Sequence, residues 1–397
     1  MSTMVKDLKD PIRVLVVDDS AVVREILVSM LETVPGFQVV GQAQDGEEAV
    51  RLTTRLRPDV ITMDIRMPRL DGLGAIRQIM STTPTPIVVV AASVYEPDLN
   101  IAFTAIEAGA LTVVEKPRGI TPEAYEAARD QLVTTIRLMS DVQVVTLRPD
   151  RRPAAQPPSR RVDVEDALET EVEAKLVAIA ASTGGPGVLR QIFKPLPGDL
   201  SIPIVAVQHI TPGFAQGFAN WLDGETALRV DLARDGDHIE PGRVLIAPDD
   251  AHLVVAPGGI ARLDYSEPVK GQRPSANRLF DSVAKVYGPA SVGVVLTGMG
   301  EDGADGLEAL RRAGGHVIAQ DKESSVVFGM PKAAIDRGVV DRIMAPEKIA
   351  SVLQYFDGRC KSNREKKKER ERIPDRAVRQ EGQDNEQYEC KTYTTVK

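Results

Sequence analysis

The chain has only two cysteines in 397 residues, Cys360 and Cys390, both close to the C-terminus. This excludes a disulfide framework and a cysteine-built zinc cluster, and fits a reducing cytoplasm. No apolar run approaches the roughly 20 residues that span a bilayer, and the N-terminal "MSTMVKDLKDPIR" has no signal-peptide core. A soluble, cytoplasmic protein without direct membrane insertion is expected. Basic charge is scarce as well: the net charge of -8 argues against nucleic acid or anionic lipid as the primary partner. No helix-turn-helix pattern occurs, and the one basic run, "REKKKERER", falls near the C-terminus, which disfavours a transcriptional output. There is no convincing internal repeat. What is present has globular proportions, 43% apolar and 27% charged residues, in a chain too long for one ordinary core.

Composition breaks twice. "LRPDRRPAAQPPSRRVDVEDALETEVEA" is rich in Pro, Arg and Glu without an apolar period, which predicts a flexible linker over 140–174. After Phe356 the chain turns charged and polar, so 357–397 reads as a disordered tail. Two globular blocks, 11–139 and 175–356, are left.

The first block alternates apolar runs such as "IRVLVV", "PDVITMD" and "PIVVVAA" with amphipathic stretches. Five βα units predict a doubly wound parallel sheet, whose function gathers beyond the carboxyl ends of its strands. Acidic residues lie there: Asp18 and Asp19 after the first strand and Asp64 after the third, with Lys116 after the fifth. Converging carboxylates repel one another unless a hard cation neutralises them, and Mg²⁺ suits such oxygen ligands. An Asp-Asp pair alone is commonly a solvated loop, but the set on three strand ends is more specific. "VVDDS", "MDIRMPRLDGL" and "EKP" resemble the receiver domain of two-component response regulators. The resemblance implies that Asp64 accepts a phosphoryl group from a histidine kinase, that Asp18, Asp19 and Asp64 hold Mg²⁺, and that Lys116 contacts the phosphoryl group. Receivers carry Ser or Thr at the end of the fourth strand and often an aromatic residue on the fifth; here Ala91 and Val113 stand there, with Ser93 two residues too late.

The second block opens with "LVAIAASTGGPGVLR", a buried strand that runs into Ser182, two glycines and Pro186. Proline tolerates the first helical position, so Ser182 stands at a strand-to-helix turn. Three readings compete: a helix cap, a phosphate loop that lacks the lysine of its usual motif, and a nucleophile beside backbone oxyanion donors. The stretch alone favours the cap.

A nucleophile needs a base. Of the four histidines, His316 starts a strand and faces the wrong sheet edge, His238 lies in a polar turn, and His252 enters a hairpin strand. His209 ends the buried strand "IPIVAVQH" and is the one placed to meet Ser182. An acid to fix the imidazole follows "VGVVLTG": Asp302, with Glu301 and Asp305 as rivals. Three strands ending in Ser, His and Asp raise the catalytic reading above the cap. Their chain order differs from that of the α/β-hydrolases, which implies a different fold.

Six segments in order, "AIAASTGGPGVLR", "VAVQHITPGFAQGFANWLD", "VLIAPDDAHL", "RPSANRLFDSVA", "VGVVLTGMGEDGADGL" and "SSVVFGMPKAAI", resemble the catalytic domain of chemotaxis response-regulator protein-glutamate methylesterases. The resemblance implies a second doubly wound α/β domain with the triad Ser182, His209 and Asp302. It also implies that the Met299 N–H helps hold the oxyanion and that Thr183 and Gln208 orient the site. The implied reaction is hydrolysis of γ-glutamyl methyl esters on the cytoplasmic helices of methylated chemoreceptors, with methanol released and receptor glutamines as a further substrate. No metal or cofactor is expected at the esterase site. The alternative is a non-catalytic response regulator that acts by docking partners.

Overall fold

The structure, a computed structural model, describes residues 10–91, 103–117, 121–142, 144 and 174–358. The expected linker and tail fall almost wholly outside these residues.

The first block follows the order β1 (Ile12–Val17), α1 (Ala21–Glu32), β2 (Phe37–Ala43), α2 (Gly46–Leu56), β3 (Val60–Met63), α3 (Gly72–Thr82) and β4 (Ile87–Ala91). After the helical residues 103–107 (α4) come β5 (Thr112–Glu115) and α5 (Pro122–Ser140). All strand pairs are parallel and the sheet order is β2-β1-β3-β4-β5. β3 and β4 are buried throughout, which is why they read as continuous apolar runs rather than alternating ones. The direction of winding reverses between β1 and β3, so the loops after these strands diverge and leave a crevice. Asp18, Asp19 and Asp64 border it.

The second block builds a larger version of the same plan. β6 (Leu176–Ala181), α6 (Gly185–Phe193), β7 (Ile204–Gln208), α7 (Ala215–Glu225), β8 (Arg229–Leu232) and β9 (Arg243–Ile246) form one wing. A hairpin of β10 (His252–Ala256) and β11 (Ile260–Asp264) follows, outside the main sheet. The other wing is α8 (Ala276–Tyr287), β12 (Ser291–Val295), α9 (Ala304–Arg312), β13 (His316–Gln320), α10 (Met330–Asp336), β14 (Arg342–Met344) and a last helix over 346–358 (α11). The seven strands run parallel in the order β14-β13-β12-β6-β7-β9-β8. Here the winding reverses between β6 and β12, the first and last of the strands expected to carry the triad.

The two blocks share a core. Phe103 on α4 is fully buried, stacks on Trp221 with ring centroids 5.6 Å apart and lies 5.5 Å from Phe218, both on α7. Gln131 on α5 donates to the Thr211 hydroxyl at 3.0 Å. Arg190 on α6 joins Glu107 of the first block to Glu225 of the second. Val326 and Val327 pack against the first-block core.

Candidate active site and acidic crevice

Ser182 follows β6 directly. The N-cap of α6 is Gly184, in the left-handed conformation (φ +81°), and no side chain caps the helix. The capping role favoured by the isolated stretch is therefore not what the serine does. The glycine is required there because a Cβ would lie 2.6 Å from Val326. A hydrogen bond from the Ser182 N–H to the Thr297 carbonyl at 3.0 Å pins the β6 end to the β12 end.

His209 follows β7. Strand register pairs Ala181 with Gln208, and the His209 N–H donates to the Ala181 carbonyl at 2.9 Å, so Ser182 and His209 start adjacent loops. The Gln208 side chain, almost fully buried, clamps them: its amide donates to the carbonyls of Ser182 and His209, each at 2.8 Å. Thr183 is held through its carbonyl, which accepts from the Thr297 hydroxyl at 2.9 Å. Thr297 is held in turn by the Gln320 side-chain oxygen, 2.8 Å from its N–H.

Asp302 comes from the glycine-rich loop after β12 and meets His209: Nε2 and Oδ2 are 3.0 Å apart. Both rivals lie elsewhere. Glu301 and Asp305 form surface ion pairs with Lys270 at 2.7 and 2.8 Å. The Asp302 carboxylate is 6% exposed and sits at the N-terminus of α8. It accepts from the Ser275 hydroxyl (2.8 Å) and from the N–H groups of Ala276 (2.7 Å) and Asn277 (3.2 Å). Burial pushes its pKa up, but the hydrogen bond and charge of His209, the Ala276 N–H and the Ser275 hydroxyl outweigh burial and hold it below the ordinary value. Helix N-terminal N–H groups favour the anion in the same direction. Asn277 braces the loop from the other side, its Oδ1 accepting from Gly303 and Gly306 at 3.1 and 2.9 Å.

Met299 lies in the same loop, two residues after Thr297, with its side chain 48% exposed. Its N–H donates to no acceptor among the described residues. The Ser182 hydroxyl likewise makes no hydrogen bond to His209 among the described residues, as is common when no substrate is bound. Ser182 and His209 line a pocket of about 240 Å³ between the two blocks. Ile106, Val113 and Gln131 of the first block form its opposite wall.

The remaining histidines stand where the strand-edge argument puts them. His316 begins β13 at the far edge and His238 forms an isolated bridge to Ile260. His252 opens β10 but is fully buried beside Ser275.

In the first block the expected acidic group assembles. Carboxylate oxygens of Asp18, Asp19 and Asp64 lie within 4.8 Å of one another. Lys116 Nζ reaches Asp18 Oδ2 at 2.8 Å and Asp64 Oδ2 at 2.9 Å. Burial raises the Asp64 pKa and the Asp18 charge raises it further, against the opposing pull of Lys116. Burial would lower Lys116, yet its bonds and charge contacts with Asp18 and Asp64 raise it instead. Three hard oxygen donors, two of them buried, fit a divalent cation of the Mg²⁺ type. Ala91 faces Glu115 in the register of β4 and β5. Ser93 lies outside the described residues.

Two family models match: residues 14–123 fit the response regulator receiver domain and residues 177–353 the CheB methylesterase. The chain is 44% identical over 344 residues to protein-glutamate methylesterase/protein-glutamine glutaminase 4 of Myxococcus xanthus, covering 87% of this chain and 96% of that protein. It is 47% identical over 346 residues to the corresponding protein 3 of Anaeromyxobacter dehalogenans, covering 87% and 99%. The chain belongs to the protein-glutamate methylesterase/protein-glutamine glutaminase family. Among solved structures, it resembles the CheB methylesterase catalytic domain of Thermotoga maritima at 43% identity, with TM-score 0.44, over 45% of this chain and 97% of that one. Both parts of the family architecture, receiver and methylesterase, are thus present here, and each match spans one of the two clusters just described.

Sequence reasoning missed the support of this candidate site. Ser275, Asn277, Thr297 and Gln320 have no catalytic look in one dimension. "RPSAN" before a helix carried a signal, because serine there is a capping residue, but not the fact that its hydroxyl goes to Asp302.

Proposed function

We propose that this chain is a receiver-controlled, cytoplasmic protein-glutamate methylesterase whose nucleophile is Ser182, base His209 and acid Asp302. The observation that carries the reading is the His209–Asp302 hydrogen bond at the carboxyl edge, beside Ser182 and across the reversal of winding. The names of the relatives supply the substrate class, glutamate methyl esters and glutamine side chains of proteins; the resemblance of the sequence motifs supplies chemoreceptors as the proteins that carry them.

Asp302 accepts the Nε2 proton of His209, which leaves Nδ1 unprotonated and able to act as the base for Ser182. Nδ1 takes the Ser182 proton as Oγ attacks the ester carbonyl carbon. The carbonyl oxygen becomes an oxyanion, and the Met299 N–H serves as a donor worth roughly 3 kcal/mol in comparable sites. Collapse expels methoxide, protonated by His209, and leaves a glutamyl ester on Ser182. Water, deprotonated by His209, then releases the glutamate and restores the serine.

In the receiver unit, 11–139, Asp64 is the phosphoryl acceptor from a histidine kinase, and Lys116 pairs with the added charge. Asp18, Asp19 and Asp64 would hold Mg²⁺, which when bound neutralises the phosphoryl oxygens. The catalytic unit, 175–356, is joined through the linker 140–174, with 357–397 as a tail. With α4, β5 and α5 forming one wall of the Ser182 pocket, a receptor helix has access only when the receiver moves. Phosphorylation at Asp64 favours that movement.

The test is methanol release from methylated receptor. Ser182→Ala should abolish it while leaving the melting temperature nearly unchanged, since Ser182 does not cap α6. A folded Ser182→Ala protein with normal turnover would end the reading.

A further inference from the structure

His252 is the one histidine wholly enclosed, and the chemistry above gives it no role. It opens β10, outside the seven-stranded sheet, yet both ring nitrogens are engaged. The Ser275 N–H donates to Nδ1 at 3.0 Å, and Nε2 lies 3.2 Å from the Glu267 carbonyl oxygen. An amide N–H can only donate and a carbonyl can only accept, so the ring is neutral with its proton on Nε2. Ser275 is the N-cap of α8, and no side chain within the helix caps it. Instead Ser275, Ala276 and Asn277 spend their donors on Asp302. One end of this turn is held by His252 and the other by the catalytic carboxylate.

We propose that His252 is a positioning residue for the esterase site. Acting through Ser275, its Nδ1 sets the first turn of α8 so that three donors converge on Asp302 and hold it against His209. Asp302 Oδ2 is shared between the Ala276 N–H and His209 Nε2, at 2.7 and 3.0 Å. A small rotation of the carboxylate toward one partner therefore weakens the other. Displacements of about 1 Å at supporting residues can cost about 100-fold in rate. The competing role for His252 is to anchor β10 to the Glu267 segment through Nε2.

The proposal rests on Asp302 being the triad acid, and two isosteric variants of the full-length protein separate the competing roles. Asparagine places an amide oxygen where Nδ1 stands; glutamine places its terminal group where Nε2 stands. If Nδ1 matters, His252→Asn keeps kcat for methanol release within about threefold of wild type, whereas His252→Gln loses about tenfold or more with KM unchanged. In ¹⁵N-histidine spectra, simple to assign with four histidines, the downfield Nε2 proton of His209 should persist in the Asn variant and shift or vanish in the Gln variant. His252→Gln combined with Ser275→Ala should lose no more than the worse single variant, because both act on one turn. Equal activity of the Gln variant and wild type overturns the proposal, as does an Asn variant at least as impaired as Gln. A Gln variant that does not fold also overturns it, since His252 would then be a structural residue. Ser182→Ala and Asp302→Asn serve as controls: should they stay active, the esterase reading itself fails, whereas inactive controls beside a fully active Gln variant sink the His252 inference alone.

Discussion

His209 meets Asp302 through Nε2, at 3.0 Å, which leaves Nδ1 as the ring nitrogen not engaged by the carboxylate. Asp302→Asn would keep the shape of this contact but present an amide in place of the anion, and so favour the wrong tautomer. If Asp302 is the triad acid, methanol release from methylated receptor should fall by about 10⁴-fold, as in known serine triads, with the melting temperature lowered only modestly. Retention of more than a tenth of the activity would show that Asp302 does not set the tautomer.

Gly298 lies against Ser182. A Cβ there would stand 2.6 Å from the Ser182 Cβ and press on the Met330 sulfur. Overpacking of this kind costs about 1–3 kcal/mol. Gly298→Ala should lower the thermal midpoint and slow turnover by about 100-fold through displacement of Ser182. Gly224→Ala, where nothing lies within 4 Å, should do neither and is the control.

Phe103 stacks on Trp221 across the boundary between the two units. An aromatic pair of this kind contributes about 1 kcal/mol beyond its buried area. Phe103→Ala should therefore shift the closed and open arrangements toward open and raise unphosphorylated esterase activity by about fivefold. Unchanged basal activity would mean that this contact does not control access to Ser182.

Asp64 has a raised pKa chiefly because it is buried, so its ionised form costs native stability. The unfolded chain ionises Asp64 near the ordinary carboxylate value, and the folded chain only at higher pH. Stability from this residue is thus fully present at acid pH and is lost as pH rises through the folded pKa. Asp64→Asn should melt higher than wild type at pH 7 without added metal, and the gain should fade on acidification. Millimolar Mg²⁺ should raise the wild-type melting point more than that of the variant. A variant less stable than wild type at pH 7 would show that its ion pair with Lys116 outweighs the burial cost.

Ala91 has no hydroxyl to turn toward a phosphoryl group, and Val113, in the aromatic position, faces the Ser182 pocket instead. A phosphoryl group shifts an equilibrium only through contacts that differ between its states. A fragment beginning near Lys175 should be markedly more active than full-length protein treated with Mg²⁺ and a small phosphodonor. Equal activation by the two treatments would show that another group supplies the switch.

The sequence by itself determined the strands, the polarity of their ends and the residues that end them. "LVAIAA", "IVAV" and "VGVV" are buried on both faces of a parallel sheet, so their apolar runs are unbroken and the first polar residue after each, Ser182, Gln208 and Thr297, marks the carboxyl edge. β8, with its alternating charges, carried no such mark because it lies at the sheet edge. Only the tertiary structure decided between Asp302 and its neighbours Glu301 and Asp305, since the loop's path over the N-terminus of α8 selects which carboxylate is buried. It also decided that Gly184, not Ser182, is the N-cap of α6, because a left-handed turn against Val326 has no room for a side chain. Last, it placed α4 and β5 over the Ser182 pocket and His252 against Ser275. These are contacts between segments tens of residues apart, set by how two sheets and a hairpin pack, and no local period or propensity records them.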